Sequence, residues 1–170
     1  MNLVLGLIDR LLFAAGLLLF LQLPQFIDQY TQRYAGYHQA LADSFAEYQA
    51  NADRHYGGDL GRLIADLRAA PGAGIREIGD KLERDHDTLR RMAAGLEILR
   101  HGTLWQKLRY LATDLDRPLA EGTWQDFEPG LPLSTDALLC GLLGALLASG
   151  LFNLLCWPLR RALRPRPSFA

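Results

Sequence analysis

Twenty-three consecutive residues, Ala137 to Leu159, carry no charge, and Arg160, Arg161, Arg164 and Arg166 follow them closely. An α-helix crosses the roughly 30 Å apolar core of a bilayer in about 20 residues, so this segment is long enough to span one. Arginines directly behind such a segment hold that end in the cytoplasm. Residues 131–159 are therefore expected to form a C-terminal transmembrane helix, with 160–170 a basic cytoplasmic tail.

At the other end Leu3 to Ile8 is apolar, Asp9 and Arg10 interrupt it, and Leu11 to Ile27 resumes without charge for 17 positions. A secretory signal peptide usually begins with basic residues, has a shorter apolar stretch and ends at a small-x-small cleavage site. Here the residues before Pro24 read Leu21-Gln22-Leu23, so 1–27 is expected to be an uncleaved N-terminal transmembrane helix. Asp9 and Arg10 then fall near the inner interface, and Pro24 bends the far end harmlessly.

The net charge of −1 hides a division along the chain. Asp28 to Asp136 holds 13 basic and 18 acidic side chains, net −5, whereas the two ends hold five Arg and one Asp. The positive-inside rule places the C-terminus in the cytoplasm, and two passes return the N-terminus to the same side. The central region, 28–130, then faces outward, into the periplasm of a bacterium. Nucleic acid is excluded as a partner, because phosphate binding needs a clustered basic face and the middle of the chain is acidic. Trp124 and Phe127 on one side and Trp157 on the other suit aromatic anchoring at the two interfaces, and Trp105 suits either that role or the core of the outer domain. The two cysteines, Cys140 and Cys156, lie about 24 Å apart along one helix and cannot bridge.

Apolar spacing predicts an all-α centre. Tyr30, Tyr34, Tyr37, Leu41, Phe45 and Tyr48 form one helical stripe, with Ile27 before it and Tyr56 after. Its tyrosines suit a narrow, partly wet bundle, since the ring packs while the hydroxyl finds a partner. Gly57-Gly58 ends that helix, Asp59 caps a short one carrying Leu60, Leu63, Ile64 and Leu67, and Pro71 to Gly74 makes a turn. A long helix follows with Ile75, Ile78, Leu82, Leu89, Met92, Leu96 and Leu99, so the two long stripes imply an antiparallel helical hairpin or small bundle. A helix through Leu104, Leu108, Leu111 and Leu115 ends before Pro118, and an irregular linker leads to the second pass.

In that pass Gly141, Ala145 and Ser149 form a row four residues apart, with Cys140, Gly144 and Ala148 beside it. A face this small lets helix backbones approach closely in lipid, where apolar solvation gives no drive to associate. It is the candidate packing surface, toward either the first pass or another subunit. Catalytic and cofactor chemistry finds no footing. His38, His55, His86 and His101 have no metal-ligand spacing, and Asp53, His55 and Asp59, or Asp85, His86 and Asp87, read as solvated surface. The hydroxyls Ser44, Thr31, Thr88, Thr103, Thr113 and Thr123 lack an activating elbow, and Gly72 and Gly74 lack the ending of a phosphate loop.

At Pro24-Gln25-Phe26-Ile27-Asp28-Gln29-Tyr30, and again at Gly57-Gly58-Asp59-Leu60, the chain resembles a family of small proteobacterial inner-membrane proteins known only as a domain of unknown function. The resemblance runs over nearly the whole length; it implies a two-pass inner-membrane location and brings no catalytic residues. The expectation is a non-enzymatic scaffold or accessory protein, without cofactor or metal, that self-associates or binds an envelope partner. Its rival is a subunit of an oligomeric channel or transporter, with Asp9, Arg10, Gln22, Asp136 or Asn153 lining the path. An envelope hydrolase is a distant third.

Overall fold

The computed structural model describes residues 2–162, with side chains for 4–157. Among these the chain is all helical: α1 (Asn2–His55), α2 (Leu60–Ala69), α3 (Ala73–His101), α4 (Leu104–Thr113), α5 (Arg117–Gln125) and α6 (Thr135–Ala162). The chain folds as two compact units, one drawn from its two ends, up to Asp28 and from Trp124 onward, the other from Gln29–Thr123. Side chains of Arg160 and Arg161, and all of Arg164 and Arg166, lie outside the described residues.

In the unit built from the ends, the N-terminal half of α1 pairs with α6. α1 runs through Pro24 without a break, so the single hydrogen bond that proline removes is absorbed within a long helix. Both α1 and α6 are long and apolar enough to cross a membrane. Only 11% of α1's most apolar window and 22% of α6's is buried, which is far less than in the core helix of a water-soluble domain.

In the other unit, a core of Phe45, Ile64 and Leu82 joins the second half of α1 to α2 and α3, with Leu41, Tyr48, Leu60, Leu67 and Leu89 packed around it. Local chemistry fixes the ends of these helices. Gly57 and Gly58 adopt positive φ (63° and 84°), which terminates α1. The Asp59 carboxylate then accepts the Arg62 amide at 3.0 Å to start α2. Gly79 lets the two helices close: a Cβ there would lie 2.8 Å from the Arg68 backbone nitrogen and 3.1 Å from the Leu67 carbonyl carbon. Arg68 also reaches Asp80 and Glu83 across the contact.

Three sequence expectations need correction. Tyr37 is 46% exposed, although it lies only about 20° round the helix from the fully buried Tyr30, so sharing the stripe does not bury it. Ile75 and Ile78 are exposed as well. The buried face of α3 at that turn centres on Gly79, roughly 100° from Ile78, and Ile75 lies over the Gly72 turn. The expected linker after Pro118 contains a helix, α5. Pro118 sits in its first turn, where a missing N–H costs nothing, and Asp116 caps it by accepting the Leu119 amide at 3.1 Å.

Candidate functional site

The small-residue face of α6 is occupied by α1 of the same chain. Cys140, Gly141, Gly144 and Ala145 are buried, and Ala148 and Ser149 partly so. A Cβ at Gly141 would lie 2.9 Å from Leu17 Cδ1 and 3.0 Å from Leu21 Cγ, and one at Gly144 would enter the Phe20 side chain. The matching glycine on α1 is Gly16, whose Cβ would stand 2.6 Å from the Gly144 carbonyl oxygen and 2.8 Å from Ala148 Cβ. Backbone therefore meets backbone there, an approach that side chains larger than hydrogen forbid. Sequence inspection missed Gly16, since one glycine in an apolar run forms no row of its own.

One end of this pair carries a polar lock. The Asp9 carboxylate accepts from Ser149 Oγ at 2.7 Å and from Asn153 Nδ2 at 2.9 Å, and Asn153 Nδ2 also donates to the Ser149 carbonyl at 2.9 Å. Toward the other end Gln22 bonds to the segment preceding α6, donating to the Gly130 carbonyl and accepting the Gly130 amide, each at 3.2 Å. Of the residues proposed for a channel lining, Asp9 and Asn153 thus engage each other between the helices and Gln22 engages the linker, while Arg10 and Asp136 are exposed.

In the Gln29–Thr123 unit Tyr34 of the stripe and Tyr110 of α4 form the floor of a groove. Tyr30 and Tyr34 are buried, and the Tyr34 and Tyr110 hydroxyls share a 2.9 Å hydrogen bond beneath edge-on rings. The Tyr30 hydroxyl accepts the Asp116 amide at 3.2 Å. Burial pushes the Tyr30 phenol from 10.0 up to about 12, and burial together with the Tyr110 hydroxyl raises Tyr34 further. Gly95 leaves room for these hydroxyls, since a Cβ there would fall 2.7 Å from Tyr34 Oη. Above the floor lies a groove of about 560 Å³ bordered by Thr88, Arg91, Met92 and Asp114. A neighbouring one of about 400 Å³ runs between Glu97, His101, Gln106 and Arg109.

Of the remaining stripe residues, Leu82, Met92 and Leu96 are buried, and Leu41, Tyr48 and Leu89 partly buried beside Phe45. The histidine and carboxylate groupings have ordinary employment. Asp53 accepts from Gln49, Asp59 caps α2, Asp85 pairs with Lys81, and the His86 ring rests 5.5 Å from that of Phe45. Among the described residues no three His, Cys, Asp or Glu converge as metal ligands would.

Fold and helix pair together define an all-helical protein with two helices able, by length and composition, to cross a membrane. The chain belongs to the family of proteins of unknown function DUF2937, whose pattern matches residues 4–165. Comparison with curated proteins and with solved structures found no match to either.

Proposed function

We propose that this protein is a non-enzymatic accessory or scaffold protein of a proteobacterial inner membrane. It passes twice, keeps both termini in the cytoplasm, and presents residues 28–130 as a periplasmic helical hairpin that binds an envelope protein or a second copy of the chain. The observation that carries this reading is that Asp9, Ser149 and Asn153 are hydrogen-bonded to one another between α1 and α6 and Gln22 to Gly130 of the preceding linker, which leaves Arg10 and Asp136 as the exposed members of the channel-lining set. A channel lining needs such groups turned to a path. The small-residue face, closed on α1, likewise leaves association to other surfaces: the leucines of α6, exposed from Leu138 to Leu155, and the groove over the tyrosine floor. The acidic balance of the centre and the four arginines behind α6 support the orientation.

Mild crosslinking in cells followed by mass spectrometry tests the reading. A reproducible crosslink from the α3–α4 surface to one envelope protein, or to a second copy, is the expected outcome. Ion flux through liposomes containing the purified protein, abolished by Asn153→Leu, would replace it with the channel reading.

A further inference from the structure

We propose that the segment linking α5 to α6, together with Trp124, is a lipid-embedded collar at the outer interface, pinned to α1 by two glutamines. The proposal rests on the membrane reading above and adds which non-helical part of the chain enters the lipid. Gln22 lies five residues inside the uncharged stretch that ends at Ile27, roughly 7.5 Å along the helix axis. Gly130 is bonded at that level, so the linker turns back alongside apolar helix before α6 begins at Thr135.

Irregular backbone at such a depth needs partners, because lipid offers none. The Gln22 amide meets both backbone groups of one residue, taking the Gly130 N–H and giving a hydrogen to the Gly130 carbonyl. Gln25 Nε2 donates to the Glu128 carbonyl at 3.5 Å. A Cβ at position 130 would sit 2.8 Å from that same nitrogen, so a larger residue there would displace the end of the Gln25 side chain.

The outward side of the linker is apolar. Leu131 is 68% exposed and Leu133 85%. Trp124, also largely exposed, stacks on Phe127 with planes 4° apart, and Phe26 of α1 tilts against both rings. In water such a cluster would be costly surface. Continuous with the exposed leucines of α6, and alternating with Asp126 and Glu128, it has the composition of a segment lying where acyl chains meet headgroups. Its occupant is therefore the lipid.

Single-tryptophan proteins reconstituted in phosphatidylcholine vesicles test this, read by quenching with lipids brominated high on the acyl chain and with aqueous acrylamide. One keeps Trp124, one carries Leu133→Trp with the native tryptophans changed to Phe, and two references keep Trp157 or Trp105. The probes at 124 and 133 are expected to follow Trp157, quenched by bromolipid several-fold more than Trp105 and shielded from acrylamide. If both follow Trp105 while Trp157 is quenched by bromolipid, the collar is overturned and the membrane pass stands. If Trp157 also escapes bromolipid, the membrane reading fails and the collar with it. Adding Gln22→Leu, which keeps α1 apolar, should raise acrylamide access at 133 several-fold; unchanged access would overturn the pinning role of Gln22.

Discussion

Gly16→Ala adds one methyl where the two apolar helices touch, and its effect follows from the geometry. The new Cβ would stand 2.6 Å from the Gly144 carbonyl oxygen, against 3.4 Å for ordinary contact. The obstacle is backbone, so no rotamer change relieves it, and the helices must part by about 0.8 Å. A gap of that size forfeits roughly a quarter to a half of each dispersion contact along the seam. Overpacking of this kind costs about 1–3 kcal/mol, or roughly 5- to 150-fold in the closed-to-open equilibrium. Cys140, 7% exposed, reports that equilibrium through its rate of alkylation by N-ethylmaleimide in mild detergent, in a Cys156→Ser background. Gly6→Ala is the matched control, because a Cβ there meets nothing within 4 Å. It brings the same gain in helix propensity, about 0.5–1 kcal/mol, without the clash. Equal alkylation rates in the two variants would refute the close-packed seam.

Asp9→Ala removes the shared acceptor of Ser149 and Asn153. Interhelical hydrogen bonds in membranes average about 0.6 kcal/mol each, so losing two should raise Cys140 alkylation roughly eightfold, at the low end of the range for Gly16→Ala. Gly95→Ala pushes a methyl into the hydroxyls of Tyr34 and Tyr110; a destabilisation of about 1–3 kcal/mol is expected in thermal unfolding of the Gln29–Thr123 unit. Gly36→Ala, in open space on α1, should be neutral or slightly stabilising in the same melt. Tyr30 has its phenol raised on folding, so its contribution is complete below pH 10.0 and is lost as pH climbs through about 12. Phenolate absorbance should show this late step in the wild type and lose it in Tyr30→Phe.

Much of the helical layout could be read from local chemistry. Asp59 after Gly57-Gly58 marks the start of α2 because a carboxylate and a positive-φ turn act within a few residues. The charge-free run before Arg160 marks α6 by length alone. Long-range geometry was less visible. Gly16, Gly79 and Gly95 mark where helices close on a neighbour, but a glycine inside a helix carries no periodic signal, and only the partner's position reveals its role. Asp9 meets Ser149 across 140 residues, and Gln22 meets Gly130 across 108, separations over which spacing says nothing. Pro118 misled because proline both ends helices and begins them; the Asp116 cap decides between the two. The tyrosine stripe pointed to a wet core, yet Tyr37 left it because periodicity defines a face without locating its edge.

The central claim, that α1 and α6 cross the membrane as a pair with the Gln29–Thr123 unit on the far side from both ends, is tested most directly by paired topology reporters. Green fluorescent protein fused at either end should fluoresce, and alkaline phosphatase inserted at Gly57-Gly58 should be active. Active phosphatase behind Arg166, or release of the protein from membranes by alkaline carbonate, would contradict the claim.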